Sequence, residues 1–145
     1  MIKFNMFIAA IALTVPTLVA AAASAPAAKL EIAFIGIQAP TGAIMVALFD
    51  SEASYNSGKP IRGAAVPVTK SDAATLIQGL PAGRYAIKSF HDVDGDGKMD
   101  TNPFGMPTEP FAFSNNAVPS MGPATWADAA FYVSEAGAKQ SITIQ

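Results

Sequence analysis

Ala43-Ile44-Met45-Val46-Ala47-Leu48-Phe49 is an unbroken apolar run with no charge and no turn former. Successive side chains of a strand point to opposite faces, so Ile44, Val46 and Leu48 share one side and Met45, Ala47 and Phe49 the other. Both sides are apolar, which predicts a central strand. Working outward, further short runs with β-branched or aromatic residues lie at 30–35, 65–69, 75–77, 84–90, 129–133 and 141–144, separated by turn signals. Seven candidate strands predict an all-β fold, a single antiparallel β-sandwich of about seven strands. Ser141-Ile142-Thr143-Ile144 alternates as a strand with one wet face should. Helix signals are poor, because proline is frequent and no segment after the first 23 residues keeps a 3.6-residue apolar period for three turns.

Two segments break the strand pattern. Residues 51–62 read as a loop with one helical turn, with Tyr55 as a lid over the core edge. Residues 101–126 hold Pro103, Pro107, Pro110, Pro119 and Pro123, a long proline-rich loop of the kind that is functional or disordered. Phe104, Phe111, Phe113 and Trp126 favour an ordered excursion, since disordered segments are poor in aromatics.

The first residues have the layout of a secretory signal: one charge at Lys3, an apolar run from Met6 to Ala23, and small residues Ala21-Ala22-Ala23 suited to a peptidase. A membrane anchor needs about 20 consecutive apolar residues, and Pro16 interrupts the run. The expected organisation is a signal peptide over 1–23 and one β-sandwich domain over 24–145, periplasmic or secreted, with no stable membrane insertion after cleavage. That length suits a single domain. The chain has no cysteine, so neither a disulfide nor a cysteine-linked lipid is available. Beyond Ala23 there are eight basic and eleven acidic residues, and the net charge of −3 resides in residues 92–100. The remaining surface is balanced, which argues against a nucleic-acid footprint or a polybasic membrane patch.

The acidic stretch is Asp92-Val93-Asp94-Gly95-Asp96-Gly97-Lys98-Met99-Asp100. Acids at loop positions 1, 3, 5 and 9 with glycine at 6 match the first nine positions of an EF-hand-type calcium loop. The candidate ligands are Asp92, Asp94, Asp96, Asp100 and the main-chain carbonyl of Lys98. All are hard oxygens and thiols are absent, so Ca2+ is the expected ion and zinc is not. Position 12 is Pro103 instead of Glu, which leaves the bidentate ligand missing unless Glu109 folds back. The alternative is a solvated acidic turn in which Asp and Gly serve geometry alone. His91, the single histidine, precedes the loop. It is either a general base beside Asp92 or an imidazole donating a hydrogen bond at a strand end, and strand alternation sends the two side chains apart.

Gly79-Leu80-Pro81-Ala82-Gly83-Arg84-Tyr85-Ala86, the His91-Asp92 loop, Gly105-Met106-Pro107-Thr108-Glu109-Pro110, Phe113-Ser114-Asn115-Asn116 and Trp126-Ala127-Asp128-Ala129 together resemble an exported bacterial family catalogued as domain of unknown function 2141. The resemblance spans nearly the whole chain after the signal and implies no activity. The Leu-Pro-Ala-Gly-x-Tyr segment is also similar to the turn before a strand in transthyretin-like and collagen-adhesin-B-like sandwiches. Independently of that, Pro81 presets a turn, Gly83 can take a positive φ, and Tyr85 and Ile87 can face a core. The expected function is a non-enzymatic binding or accessory module with a calcium site, engaging an envelope or extracellular protein or a small ligand. A hydrolase using His91 with adjacent carboxylates is one alternative. A carrier of small apolar ligands, lidded by Phe111, Phe113 and Trp126, is the other.

Overall fold

The computed structural model describes residues 28–145, so the expected signal over 1–23 lies outside the described residues. In chain order the elements are β1 (Ala28–Ile35), β2 (Ala43–Phe49), α1 (Glu52–Ser57), β3 (Arg62–Pro67), β4 (Ala73–Leu80), β5 (Gly83–Asp92), β6 (Phe111–Phe113), a 3-10 turn (Ser114–Asn116), α2 (Trp126–Ala129), β7 (Phe131–Val133) and β8 (Ala138–Thr143). The strands form two sheets, one ordered β4-β1-β8 and the other β3-β2-β5, with β6 and β7 both laid along β5. This is the all-β sandwich expected from the strand pattern.

Alternation drives the packing. On β1, Ala28, Leu30, Ile32 and Phe34 are buried while Lys29, Glu31, Ala33 and Ile35 are exposed. Their buried side meets Ile44, Val46 and Leu48 of β2, Tyr85 and Ile87 of β5 and Ile142 of β8 in one core. Each large aliphatic or aromatic side chain hidden in this way contributes about 1.5–3 kcal/mol. The opposite side of the second sheet is covered as well. Phe49 and Ala86, which face each other across β2 and β5, pack with Tyr55, Phe113, Ala124, Trp126 and Ala129. β2 is therefore central and covered on both faces, as its sequence predicts.

Several details differ from expectation. There are eight strands, because Phe111–Phe113 pairs with Lys88, Ser89 and Phe90 inside the segment read as a proline-rich loop. The sandwich is not wholly antiparallel, since β1 and β8 run parallel in the register Leu30 to Ala138 through Ile35 to Thr143. Gly83 does not take a positive φ; Gly79, before the turn, does at 77°. Tyr55 is not a lid at the core edge but the centre of the second cluster, 1% exposed, with ring edges against Phe49 and Trp126 at centroid distances of 5.3 and 5.8 Å. Its hydroxyl donates to the Ala124 carbonyl at 2.8 Å. α1 is brief but capped at both ends: the Ser51 hydroxyl accepts from Ser54 N–H, and Gly58 closes it in the left-handed region.

The 3-10 turn ties the second sheet to the first. Ser114 Oγ accepts from Ile87 N–H at 2.8 Å and donates to the Ala129 carbonyl. Asn116 donates from Nδ2 to the Ser141 carbonyl and accepts at Oδ1 from Thr143 N–H, so one side-chain amide occupies the edge of β8 as a neighbouring strand would.

Candidate functional site

β5 delivers the acidic loop. His91 and Asp92 are its last two residues, paired with Ile44 and Ala43 of β2, and the chain leaves the sheet at Val93. The turn before β2 presses against this exit. A Cβ on Gly42 would stand 1.9 Å from the Asp92 carbonyl oxygen, and Gly42 itself has φ of 67°, so only glycine fits. His91 is fully buried, and its Nε2 lies 2.7 Å from the Thr41 carbonyl. A carbonyl only accepts, so Nε2 carries the hydrogen and pins the same turn.

Asp92 is buried at the root of the loop and organises it. Its Oδ1 accepts from Gly95 N–H at 2.9 Å and its Oδ2 from Gly97 N–H at 3.0 Å. Asp94 and Asp96 repeat the device one step out, accepting from the N–H groups of Asp96 and Lys98. Gly95 and Gly97 both have φ near 80°, which lets the main chain reverse around the carboxylates.

Of the five residues expected to ligate a metal, Asp92, Asp94 and Asp96 each present a carboxylate oxygen within 4.8 Å of the other two. A shared calcium ion needs its oxygens at about 2.3–2.6 Å from one point, and carboxylates gathered this closely are candidates for that role. Asp100 falls outside that convergent trio. Its carboxyl is nevertheless held above the ordinary carboxylate range, by desolvation first and then by the charges of Asp94, Glu109, Asp96 and Asp92. Lys98 contributes an N–H to Asp96 and an exposed side chain.

Glu109 folds back onto the loop with both oxygens accepting main-chain N–H groups. It is buried, and it clasps the two ends of the loop: Oε1 accepts from Val93 N–H at 2.9 Å and Oε2 from Asp100 N–H at 3.2 Å. Beyond it the chain forms a tight projection. Thr108 N–H donates to the Asp100 carbonyl, Thr101 and Pro107 form a bridge, and Asn102 organises the tip. Asn102 Oδ1 accepts from both Phe104 and Met106 N–H, at 2.9 and 3.1 Å. The sequence named Glu109 as the residue that could fold back onto the loop, but as a metal ligand; its grip on main-chain N–H groups and the tip were not read. The only signal was the dense run of Asn, Pro, Gly and Glu after the acidic loop.

The polar groups around His91 are engaged with the main chain. Its Nε2 faces a main-chain carbonyl, both Asp92 oxygens accept main-chain N–H groups, and Ser89 and Ser114 direct their hydroxyls to the carbonyls of Ala112 and Ala129. The aromatic excursion largely fills itself. Phe113 and Trp126 are buried in the second cluster, and the cavity beside Phe111 and Phe113 is about 60 Å³. Ligand pockets are commonly about 300–1,000 Å³. A larger depression of about 650 Å³ lies on the outer face of β4, β1 and β8, walled by Ala33, Leu76 and Lys139. Among the described residues, no helix is long and apolar enough to cross a membrane.

A model of a family described as uncharacterized protein conserved in bacteria (DUF2141) matches residues 32–142. No curated protein and no solved structure matches the chain.

Proposed function

We propose, for a chain that belongs to the uncharacterised bacterial family DUF2141, the role of an exported, non-enzymatic β-sandwich module whose loop over residues 92–100 binds calcium. The observation that supports this reading is the convergence of Asp92, Asp94 and Asp96 oxygens on a loop whose ends are fastened by Glu109. Asp92, Asp94 and Asp96 would hold the ion, the carbonyl of Lys98 and the carboxylate of Asp100 would complete the arc, and solvent would fill the remaining positions. The ion supplies charge neutralisation; the chain supplies a turn already shaped by main-chain N–H donors. Without the bidentate glutamate at position 12, the affinity expected is weak, about 10⁻⁴ to 10⁻³ M, as in extracellular modules. Export is proposed on the uncharged run from Met6 to Ala23, and intact-mass measurement on protein from the producing cell tests it.

The decisive experiment is thermal unfolding. An unfolded chain cannot hold the carboxylates in one place, so calcium binding adds to folding free energy and Tm should rise in millimolar calcium relative to chelator. Magnesium should raise it less, because it demands a strict octahedron and dehydrates reluctantly. Asp94→Ala or Asp96→Ala should abolish the rise. Identical melting in calcium and chelator for wild type and both variants would reduce the loop to a plain turn.

A further inference from the structure

The projection beyond the acidic loop exposes apolar surface that the fold does not need. Phe104 is 88% exposed and Met106 58% exposed. Their backbone is not slack: Asn102 Oδ1 binds both N–H groups, Asn102 N–H donates to the Met106 carbonyl, and Gly105 N–H donates to the Asn102 carbonyl. Residues 101–108 carry no charge, while the exposed acids Asp94, Asp96 and Asp100 lie in the loop immediately before them. Asp100 sits at the root of the projection through its carbonyl bond to Thr108, and its carboxyl feels Asp94, Asp96 and Asp92. An aromatic and a methionine on a fixed turn, next in the chain to a loop with three exposed acids and the single cation Lys98, have the anatomy of an interface anchor with a polar rim of net negative charge.

We propose that this tip is a docking site for a cationic amphipathic polypeptide segment, whose apolar side chains cover Phe104 and Met106 while its Lys or Arg residues face Asp94, Asp96 and Asp100. The net charge of the exposed groups in that loop, three acids against Lys98, selects this occupant. An anionic lipid surface or a second copy of this chain, acidic at the same place, would meet like charge. The inference applies to the loop without calcium: an ion on Asp94 and Asp96 would neutralise the charge that attracts basic side chains, so ion and peptide would compete.

The test is fluorescence anisotropy of a labelled amphipathic helix of Leu and Lys, titrated with the protein in chelator at low salt. The peptide should bind, and Phe104→Ser/Met106→Ser, which leaves charge unchanged, should weaken binding about tenfold or more. Met121→Ser, which removes a still more exposed methionine elsewhere, should leave it unchanged. Asp94→Asn/Asp96→Asn should weaken it and flatten its salt dependence. A Leu/Glu peptide should not bind. Equal affinity for wild type and the double serine variant would overturn the proposal, as would binding of the Leu/Glu peptide or no peptide binding at all. Tip-dependent binding to phosphatidylcholine/phosphatidylglycerol vesicles without peptide binding would overturn it in favour of a membrane.

Discussion

Lys88 Nζ sits 4.0 Å from the centroid of the Tyr55 ring and donates a 2.8 Å hydrogen bond to the main-chain carbonyl of that same residue. The ammonium is thus enclosed by aromatic faces, with the Phe49 ring at 5.2 Å, and burial pulls its pKa below the usual lysine value. The same enclosure pushes the Tyr55 hydroxyl up to about 12, through burial first and the charge of Asp128 second.

An alkaline signature follows from Tyr55. In the unfolded chain it ionises near pH 10, whereas in the fold it keeps its proton to about 12. Stability from this group is fully present below pH 10 and is lost as pH rises to 12, a loss of about 2–3 kcal/mol. Lys88 acts with the opposite sign, its effect complete by its unfolded value of 10.5, so the window from 10.5 to 12 isolates tyrosine. Tyr55→Phe should cost about 1–2 kcal/mol at neutral pH, by leaving the Ala124 carbonyl unpaired, and should flatten the alkaline decline. Tyr85, also raised by burial, leaves a residual slope. Urea unfolding at pH 8, 10.5 and 12 checks both parts.

Glu109→Gln should be more damaging than Asp94→Asn. Both Glu109 oxygens accept main-chain N–H groups, and an amide can satisfy only one of them; the other meets a donor, a loss of about 1–3 kcal/mol. Asp94 is exposed and keeps its acceptor as Asn, so its change should stay within about 0.5 kcal/mol in chelator. Hydrogen exchange at Val93 and Asp100 should accelerate in the Glu109 variant alone.

Asp100→Asn should raise Tm in chelator at pH 7. The Asp100 carboxyl is held above its ordinary range, so its ionised form costs stability that is spared when it is protonated or replaced. The advantage should vanish as pH falls below the ordinary carboxylate range, where both forms are neutral. An equal gain at acid pH would contradict repulsion as its origin.

Asn116→Ala should destabilise more than Asn116→Gly. Both remove the two bonds to the β8 edge and both must hold φ of 51°, which strains alanine and not glycine. Either variant bares a strand edge, and concentration-dependent association should be stronger than for wild type in sedimentation.

How much of this was legible in sequence divides along physical lines. β2 was read residue for residue from its apolar run, and β1 and β5 to within two residues at each end, whereas the strand placed at 141–144 begins at Ala138 and ends at Thr143. β6 escaped because Phe111–Phe113 is a strand only by virtue of pairing with Lys88 to Phe90, a tertiary event with no local period. The direction of β8 escaped for the same reason, since alternation is blind to whether a neighbour runs up or down. In the candidate site, the acids at odd loop positions announced themselves by spacing. Glu109 was named there only as a possible ligand, and its clasp was missed, because a carboxylate that binds main-chain N–H groups 9 and 16 residues away follows no spacing rule.

The parallel pairing of β1 with β8 reaches beyond architecture into time. β1 is flanked by β4 on one side and by the last strand on the other, so the interior of its sheet is not finished until residues 138–143 have arrived. Nothing short of the whole domain can seal that edge during synthesis. Loop closure over such separations is slow, and folding on the millisecond-to-second scale is the expectation for this topology. A polypeptide that cannot close early stays threadable while its final residues are still being added, and truncation by a single terminal strand would leave Ile32 and Phe34 without a neighbour on one side.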